Sequence, residues 1–503
     1  MIQDLTADPS ENPPNAVSAT SERQGSDWDI RNAPKNYVSL VLAHGATAFF
    51  SFASVWLITR KLGSEGYGGI IAFVAASQLV QIFLNWSSTA LARFGIEEFV
   101  ETGKITRSFW SRSVIFIPNL LLILAVSAFW LPPIGRWLKI PEPAMWLITV
   151  HLVATAVWLH IQFGLQGAKM LRLQGAMLAV ERGLTFLGVL LLVFSQRMTL
   201  ENTLWCYILP PLLLSIAGAF ILRRFVEMRG FVDMAQCRKI LMYSLPLIPF
   251  AIVGYLSTSQ LDAFFITRYL STRDLGIYAV AAQINGMVLQ LPIMATSILM
   301  SLFVSLRTGQ QDETTARFFR HILPTLSFGW GLLCVTAGLA GSFLVPLVFG
   351  AEFAGAGLAL AILLTASAAT APSMFGYAAY SHAISATYIS AVAATAAALV
   401  NVVFNFLLIP RFGLAGCAAA SLFSAIALNF IVVLLCRQES KIEISWIVFA
   451  VIPSTVGIIP LLLLGSTIWA FVASAAVALV VAIVFHASIR QSIRTVTARV
   501  APA

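Results

Sequence analysis

A five-residue stretch that occurs twice decides the fold of this chain: residues 58–62 read ITRKL, and residues 266–270 read ITRYL. In both copies a glycine follows the arginine by eight positions, as Gly68 and as Gly276. The copies are 208 residues apart, and six long apolar segments fit between equivalent points of the two. Because six is an even number, the two halves would cross a membrane in the same orientation. Parallel repeats of this kind are typical of transporters.

The composition places these segments in a membrane. Of 503 residues, 59% are hydrophobic and 11% are charged, whereas soluble domains have about 25% charged and about 45–50% apolar residues. So few charges could not cover a water-facing surface, which excludes a soluble enzyme. So much apolar material also excludes a wholly disordered chain. The net charge is +9, but the basic residues lie in short clusters between apolar segments, which argues against nucleic-acid binding.

About fourteen apolar segments reach the ~20 residues that a helix needs to cross a bilayer. They far exceed the ~9–11 residues of a membrane-spanning strand and lack its alternation, so helices are predicted. The segments cover approximately residues 37–59, 67–91, 113–131, 145–165, 176–196, 203–222, 241–265, 277–304, 322–349, 357–380, 386–409, 414–436, 444–464 and 467–488.

The lysines and arginines predict the orientation. If the N-terminus is cytoplasmic, the inner loops carry 22 of the 31 basic residues, with Arg112 counted among them, and the outer loops carry 8. The remaining one, Arg182, lies inside a segment. Such an excess on one side indicates that both termini are cytoplasmic.

The predicted organisation follows from these segments. We expect a disordered cytoplasmic tail, a six-helix bundle, a cytoplasmic amphipathic linker, a second six-helix bundle, and two extra helices with a cytoplasmic tail. Their ranges are residues 1–36, 37–222, 223–240, 241–436 and 437–503.

Several short motifs, in this order, resemble one family. They are Arg60-Lys61-Leu62-Gly63 with Tyr67-Gly68, Leu245-Pro246 in a segment ending at Asp262, Gly276-Ile277-Tyr278, and Asn405-Phe406-Leu407-Leu408-Ile409-Pro410 running to Gly413 and Gly416. With the topology, they resemble the O-antigen-type polysaccharide flippases of the multidrug/oligosaccharidyl-lipid/polysaccharide exporter superfamily.

The resemblance implies an all-α polytopic fold of about 14 transmembrane helices: two parallel six-helix bundles around a central cavity, plus two C-terminal helices. It implies that an undecaprenyl-pyrophosphate-linked oligosaccharide is moved across the bacterial inner membrane by alternating access, without enzymatic chemistry. The expected partners are this lipid-linked glycan, the phospholipid membrane, and the polymerase and glycosyltransferases of the same pathway.

A flippase of an anionic head group needs polar side chains and a cation within its cavity, where such groups are otherwise costly. Arg182, about two turns inside the fifth segment, is a candidate for attracting the pyrophosphate, with Lys169 and Arg172 at the entrance. Alternatively, Arg182 reaches to the membrane interface or is neutralised by Glu181.

Three amides, Gln78, Gln81 and Asn85, share one face of the second segment because of their i, i+3, i+7 spacing. They fit glycan hydroxyls in a cavity, or hydrogen bonds between packed helices.

Asp262 closes the seventh segment. As a cavity-facing acid it would couple transport to a cation or contact sugar hydroxyls; alternatively, it pairs with Arg268 or Arg273 near the outer interface.

The seventh segment also contains Pro246, Pro249 and Gly254, which remove backbone hydrogen bonds or loosen the helix. They are candidates for a hinge, although many membrane helices accommodate proline without moving.

No cofactor or metal site is predicted. The five cysteines form no C-x-x-C pair, His151 and His160 do not share a helix face, and no G-x-x-x-x-G-K-[ST] loop is present. The alternatives to a glycan flippase are a lipid II flippase, a cation-coupled drug antiporter of the same superfamily, and a membrane-embedded glycan polymerase or glycosyltransferase.

Overall fold

A computed structural model describes residues 16–227, 232–256, 259–308, 312–440, 459, 469, 472–477, 479–480 and 483. For residues 16–41 it describes the backbone alone. Within these ranges all regular structure is helical. Of the last two predicted segments, 444–464 is described only at residue 459, and 467–488 only at residues 469, 472–477, 479–480 and 483.

The helices are α1 (Ala16–Asn85), α2 (Ser88–Thr102), α3 (Thr106–Ala125), α4 (Ser127–Trp137), α5 (Glu142–Gly167), α6 (Leu171–Phe194), α7 (Leu200–Leu222), α8 (Met234–Ser244), α9 (Ile248–Leu256), α10 (Ser259–Tyr269), α11 (Thr272–Thr308), α12 (Asp312–Arg317), α13 (Leu323–Phe349), α14 (Ala356–Ala369), α15 (Ala378–Ala383) and α16 (Tyr388–Ser440).

Nine stretches of the described chain are helical, long and apolar enough to cross a membrane. Two of them, α1 and α16, each cover most of two predicted segments, and between these segments the backbone is non-helical at a glycine with positive φ, Gly63 (φ 68°) and Gly413 (φ 56°). A residue with a Cβ avoids this backbone region, so glycine makes these reversals possible. The seventh segment consists of α8, α9 and α10. The polytopic all-α fold predicted from sequence is thus confirmed.

Two predicted boundaries differ from the structure. Helix α1 begins at Ala16, inside the segment 1–36 that was predicted to be a tail, because the helix of the first apolar segment continues towards the N-terminus. Residues 1–15 lie outside the described chain. In the linker, α8 begins at Met234, where the Asp233 carboxylate accepts hydrogen bonds from the backbone N–H groups of Ala235 (2.9 Å) and Gln236 (3.3 Å).

The repeated glycines lie against each other where the two halves meet. A Cβ added to Gly68 would come within 1.9 Å of the Thr272 carbonyl oxygen, and one added to Gly276 within 1.9 Å of the Ser64 carbonyl oxygen. Thr272 and Ser64 are themselves 208 residues apart, the same offset as the glycines. A pseudo-two-fold axis therefore passes between α1 and α11. The close approach of the two helices there leaves no room for a side chain at Gly68 or Gly276.

Polar contacts reinforce this junction at the end predicted to face outward. From the N-terminal half, Arg60 donates to the carbonyl oxygens of Leu347 and Val348 (2.8 Å from Nε to the latter). The Ser64 N–H and hydroxyl donate to the Glu352 carboxylate (3.1 and 2.9 Å).

Two further bonds occur on the opposite side of the axis. Trp137 Nε1 donates to the Phe264 carbonyl (2.9 Å), and Lys139 Nζ donates to the Leu270 carbonyl (2.8 Å). In both pairs of contacts, a side chain of one half bonds to a backbone group of the other, and the carbonyls of Leu347 and Val348 are among the last four of α13, which have no partner within the helix.

Large apolar side chains cover the outside of the helices. Phe129 is 80% exposed, Phe194 75% and Leu347 71%. A water-soluble surface does not present so many apolar groups. Together with the helix lengths, this makes the chain a multi-pass membrane protein.

Candidate substrate cavity

A cavity of about 400 Å³ lies between the two halves. Its described lining comes from α1, α10 and α11, and the lining residues beside the glycine junction, Tyr67, Leu275 and Tyr278, are buried. The described lining is His44, Thr47, Ala48, Ser51, Tyr67, Ile71, Gln260, Leu275, Tyr278, Ala279, Ala282, Gln283, Gly286, Met287 and Gln290.

Three carboxamides face this cavity: those of Gln260, Gln283 and Gln290. The Gln260 Oε1 atom is buried and has no hydrogen-bond partner in the described part of the chain. Gln283 and Gln290 are seven residues apart, so they share one face of α11. This pair was not identified from the sequence, although it has the same spacing as Gln78 and Asn85. Spacing alone does not show which face of a helix borders a cavity.

The basic residues predicted to bind the pyrophosphate lie outside this lining. Arg182 is half-buried in the interior of the N-terminal half and interacts electrostatically with His151 and Tyr207. Its neighbour Glu181 does not neutralise it by a direct ion pair but accepts a hydrogen bond from Trp158 Nε1 (2.7 Å).

Lys169 and Arg172 are exposed at the connection between α5 and α6. This junction is at the end of the N-terminal half opposite to Lys139, which is the end predicted to be cytoplasmic.

The predicted amide stripe also lies outside the lining. Gln81 Nε2 donates to the Thr155 hydroxyl on α5 (2.5 Å), which is a bond between packed helices. Asn85 Oδ1 accepts a long bond from the Ser88 hydroxyl (3.5 Å), and Gln78 is half-buried. The contact of Gln81 favours the packing interpretation of the stripe.

Asp262 lies in a second cavity, of about 390 Å³, inside the C-terminal half. Its side chain is 3% exposed; Oδ2 accepts a hydrogen bond from the Tyr278 hydroxyl (2.8 Å) and Oδ1 one from Asn405 Nδ2 (3.1 Å). The hydrogen-bond partners of the carboxylate are therefore neutral groups, whereas pairing with Arg268 or Arg273 was one of the expectations from the sequence. Tyr278, Ala282 and Gly286 line both cavities.

The surroundings of Asp262 are rich in oxygen. Asn405 Nδ2 also donates to Asn401 Oδ1 (2.9 Å), and Asn405 Oδ1 is buried without a partner within the described residues. Among those residues no group of three His, Cys, Asp or Glu side chains could hold a metal ion. One carboxylate with amide and hydroxyl oxygens suits a hard cation better than a transition metal.

The predicted hinge coincides with a break in the seventh segment. Pro246 lies in a 3₁₀ turn, Leu245–Leu247, between α8 and α9, and Pro249 lies in the first turn of α9. A Cβ added to Gly254 would meet nothing within 4 Å. The local departure from α-helix follows from the prolines; that it moves during a transport cycle remains a prediction.

One buried cation was misplaced by sequence analysis. Arg112, counted among the inner-loop charges, is fully buried because α3 begins at Thr106, before the predicted segment at 113. Its guanidinium donates to His160 Nδ1 and to the Ser88 hydroxyl (2.7 Å), and Nε has no partner within the described chain.

The partner of Arg112 is a neutral histidine. Arginine can only donate, so His160 Nδ1 accepts, and Nε2–H then donates to the Ser113 hydroxyl (3.0 Å). The Phe116 ring stacks on the imidazole with 5.1 Å between the ring centroids, and the Arg112 guanidinium lies 5.1 Å from the centroid of the Phe116 ring. Charge counting missed this cluster, because it assigns a basic residue near a segment end to the loop.

Comparison with known proteins agrees with this architecture. The family model described as "Polysaccharide biosynthesis protein" matches residues 33–303, which is more than half of the chain. No curated protein sequence matches significantly.

Solved structures share the fold. The lipid II flippase MurJ in an inward closed conformation superposes with a TM-score of 0.67 at 14% identity, covering 91% of this chain and 99% of that one. An inward-facing multidrug resistance MATE family transporter of the MOP superfamily gives a TM-score of 0.52 at 14% identity, covering 78% of this chain and 94% of that one. At these identities the likeness establishes a common fold. With the family match over more than half its length, this chain belongs to the polysaccharide biosynthesis protein family.

Proposed function

We propose that this protein is a transporter that flips an undecaprenyl-pyrophosphate-linked oligosaccharide across the bacterial inner membrane, for O-antigen, capsule or exopolysaccharide synthesis. Its termini face the cytoplasm, and the polymerase and glycosyltransferases of the same pathway are its expected partners. The family membership supports polysaccharide synthesis, and the shared fold with MurJ and MATE transporters supports transport.

The observation that carries the proposal is the polar cavity between the halves. Unpartnered carboxamides in a membrane protein are costly unless a polar ligand or water satisfies them. They lie between two pseudo-symmetric halves that are closed against each other at one end. A lipid-linked glycan could place its sugars there while its tail remains in the bilayer.

Alternating access follows from the junction. The contact of Gly68 with Gly276 and the hydrogen bonds of Arg60, Ser64, Trp137 and Lys139 hold the predicted outer end closed. Release of the glycan outward requires that these contacts break and that the opposite end closes. The break at Pro246 and Pro249 is the proposed hinge. Replacing both prolines with alanine should slow turnover, and wild-type turnover would refute this role.

The basic residues retain a proposed role in recruitment. Lys169 and Arg172 are exposed at the predicted cytoplasmic end, where they could attract a diphosphate before it reaches Arg182. Loss of transport in Arg182→Ala but not in Arg182→Lys, at equal abundance, would support this. Full activity of Arg182→Ala would end it.

A cation-coupled cycle is the second candidate, and the Asp262 cavity favours it. The buried carboxylate and the unpartnered Asn405 Oδ1 would bind a cation, and Tyr278 would transmit its presence to the central cavity. Transport by Asp262→Asn should no longer respond to an imposed Na⁺ or proton gradient. An unchanged response would remove the coupling role.

The direct test uses purified protein in vesicles with a fluorescent undecaprenyl-diphosphate oligosaccharide. We expect the sugar to become accessible to an impermeant reagent on the opposite leaflet. Exchange of lipid II alone would favour the lipid II flippase, export of drugs alone would favour the antiporter, and elongation of the glycan would identify a polymerase or glycosyltransferase.

A further inference from the structure

A flippase of an anionic head group was expected to have a cationic side chain in its cavity, and the central cavity does not match this expectation. Its described lining contains no lysine, arginine, aspartate or glutamate. His44 is the one histidine in that lining, and its side chain is exposed. The polar groups that remain are amides and hydroxyls.

The three carboxamides are available for a ligand. No hydrogen bond within the described chain engages the side chains of Gln260, Gln283 or Gln290, and Gln260 Oε1 is both buried and unpartnered. The Asp262 cavity differs, because its amides and hydroxyls bond to one another: the Ser367 hydroxyl donates to Asn285 Oδ1 (2.6 Å), and Asn405 donates to Asn401 (2.9 Å). The three carboxamides of the central cavity thus keep their hydrogen-bonding capacity free, whereas the Thr47 hydroxyl donates to the Ala43 carbonyl of its own helix (2.8 Å).

A carboxamide offers both donors and an acceptor, which is the pattern presented by sugar hydroxyl and N-acetyl groups. It offers no net charge. A sugar carboxylate or phosphate entering this lining would lose water without meeting a cation, and burying an unpaired charge is far more costly than burying a hydrogen-bonded neutral group.

The wall of the cavity gives the glycan room. A Cβ added to Gly286, between Gln283 and Met287 on the same helix, would meet nothing within 4 Å. The glycine therefore leaves open space in the wall near the two α11 carboxamides. A pyranose ring beside Gly286 could reach both.

We infer that the central cavity selects glycans built from uncharged sugars, through hydrogen bonds from Gln260, Gln283 and Gln290, and that the diphosphate is held outside this lining. The inference rests on the proposed function and narrows its substrate class. Glycans that carry uronate, sulfate or phosphate on the sugars in the cavity are disfavoured.

The test compares two probes that differ in one group. The first is undecaprenyl diphosphate bearing a disaccharide of two neutral hexoses; the second has the terminal hexose replaced by its uronic acid. The full-length protein is reconstituted in vesicles, and flipping is measured by periodate oxidation of the sugar from outside. We expect the neutral probe to be flipped at least about tenfold faster, a difference of about 1.4 kcal/mol.

Variants separate recognition from folding. Gln283→Ala combined with Gln290→Ala should slow flipping of the neutral probe about tenfold, because two hydrogen bonds are lost. Gln283→Lys should raise the rate for the acidic probe and lower it for the neutral one. A gain cannot arise from misfolding. Gln438→Ala, an exposed glutamine at the end of α16, is the matched control and should leave both rates unchanged.

The outcomes distinguish the two proposals. Flipping of the acidic probe as fast as the neutral one overturns the inference but leaves the flippase function standing. The inference is also overturned if both Gln283 variants keep the wild-type preference for the neutral probe. The carboxamides would then not select between neutral and acidic sugars. If the wild-type protein flips neither probe, the proposed function fails and the inference fails with it.

Discussion

The two halves of this protein match at their junction and differ in their interiors. At the junction, Gly68 and Gly276 make equivalent contacts across the pseudo-two-fold axis. Inside, the N-terminal half buries a cation, Arg112, held by neutral His160, whereas the C-terminal half buries an anion, Asp262, held by Tyr278 and Asn405.

This difference shows which property the repeat preserves. The close approach of two backbones allows no side chain at either glycine, so both copies keep the same residue. The interior of a helical bundle imposes no such identity, because any polar group is tolerated there once its hydrogen bonds are made. The halves have thus kept one junction while differing in their buried charges: the N-terminal half buries Arg112 and also Glu98, whose carboxylate accepts the N–H groups of Arg107 and Ser108, and the C-terminal half buries Asp262.

The largest expected effect tests the shared junction. Gly276→Val places atoms where the Ser64 carbonyl lies, and overpacking against backbone should cost about 3 kcal/mol or more. The closed end should then open. A Ser51→Cys reporter in the cavity, unreactive to an impermeant thiol reagent added outside, should become reactive; the five native cysteines are buried.

Gly68→Val should behave like Gly276→Val if the junction is symmetric. Gly329→Ala, whose added Cβ meets nothing within 4 Å, is the control and should leave the reporter unreactive. An unreactive reporter in both valine variants would show that the glycine contact does not hold the end closed.

The next prediction concerns the buried cation. His160→Ala leaves an Arg112 donor without its acceptor and should lower the free energy of unfolding by about 2–3 kcal/mol. Arg112→Met combined with His160→Phe replaces charge and imidazole with apolar groups and should come within about 1 kcal/mol of the wild type. Thermal unfolding of the purified protein in nanodiscs measures both. If the double variant is as unstable as His160→Ala, then the instability of His160→Ala does not come from the buried Arg112 charge.

The buried anion should respond more weakly. Asp262→Ala leaves the Tyr278 hydroxyl and an Asn405 N–H without their acceptor, but it also removes a charge from the interior. Hydrogen bonds between membrane helices average well below 2 kcal/mol, so we expect a loss of about 1–2 kcal/mol by the same unfolding measurement. A larger loss than in His160→Ala would reverse the ranking of the two halves.

The smallest effect is expected for one exposed bond at the junction. Lys139→Met removes the donor to the Leu270 carbonyl and should cost about 0.5–1 kcal/mol, seen as a slight rise in labelling of Ser51→Cys. Lys61→Met, an exposed lysine at the same end, is the matched control. Equal labelling of the two variants would show that the Lys139 bond does not contribute to closure.

Much of the fold was predictable because lipid imposes a simple length rule. Twelve of the fourteen apolar segments correspond to described helices, including the two pairs that reverse at Gly63 and Gly413. The repeat of residues 58–62 at 266–270 correctly predicted two parallel halves. The helix start at Ala16 was not predicted, because helix can extend beyond an apolar segment without any hydrophobic signal.

The site was less predictable. Asp262 was recognised as an acid inside a segment, but its neutral partners come from two other helices: Tyr278 of α11 is 16 residues away, and Asn405 of α16 is 143 residues away. The stripe of Gln78, Gln81 and Asn85 and the pair Gln283 and Gln290 have comparable spacing. Only the pair Gln283 and Gln290 borders the central cavity.

The sequence by itself determined that the chain is a membrane protein and which of its described segments are helices, because hydrophobic length is a local property of the chain. Tertiary structure alone decided which polar groups line a cavity and which form hydrogen bonds between packed helices. Helix periodicity fixes the face on which a side chain lies, but only the neighbouring helices determine what that face meets.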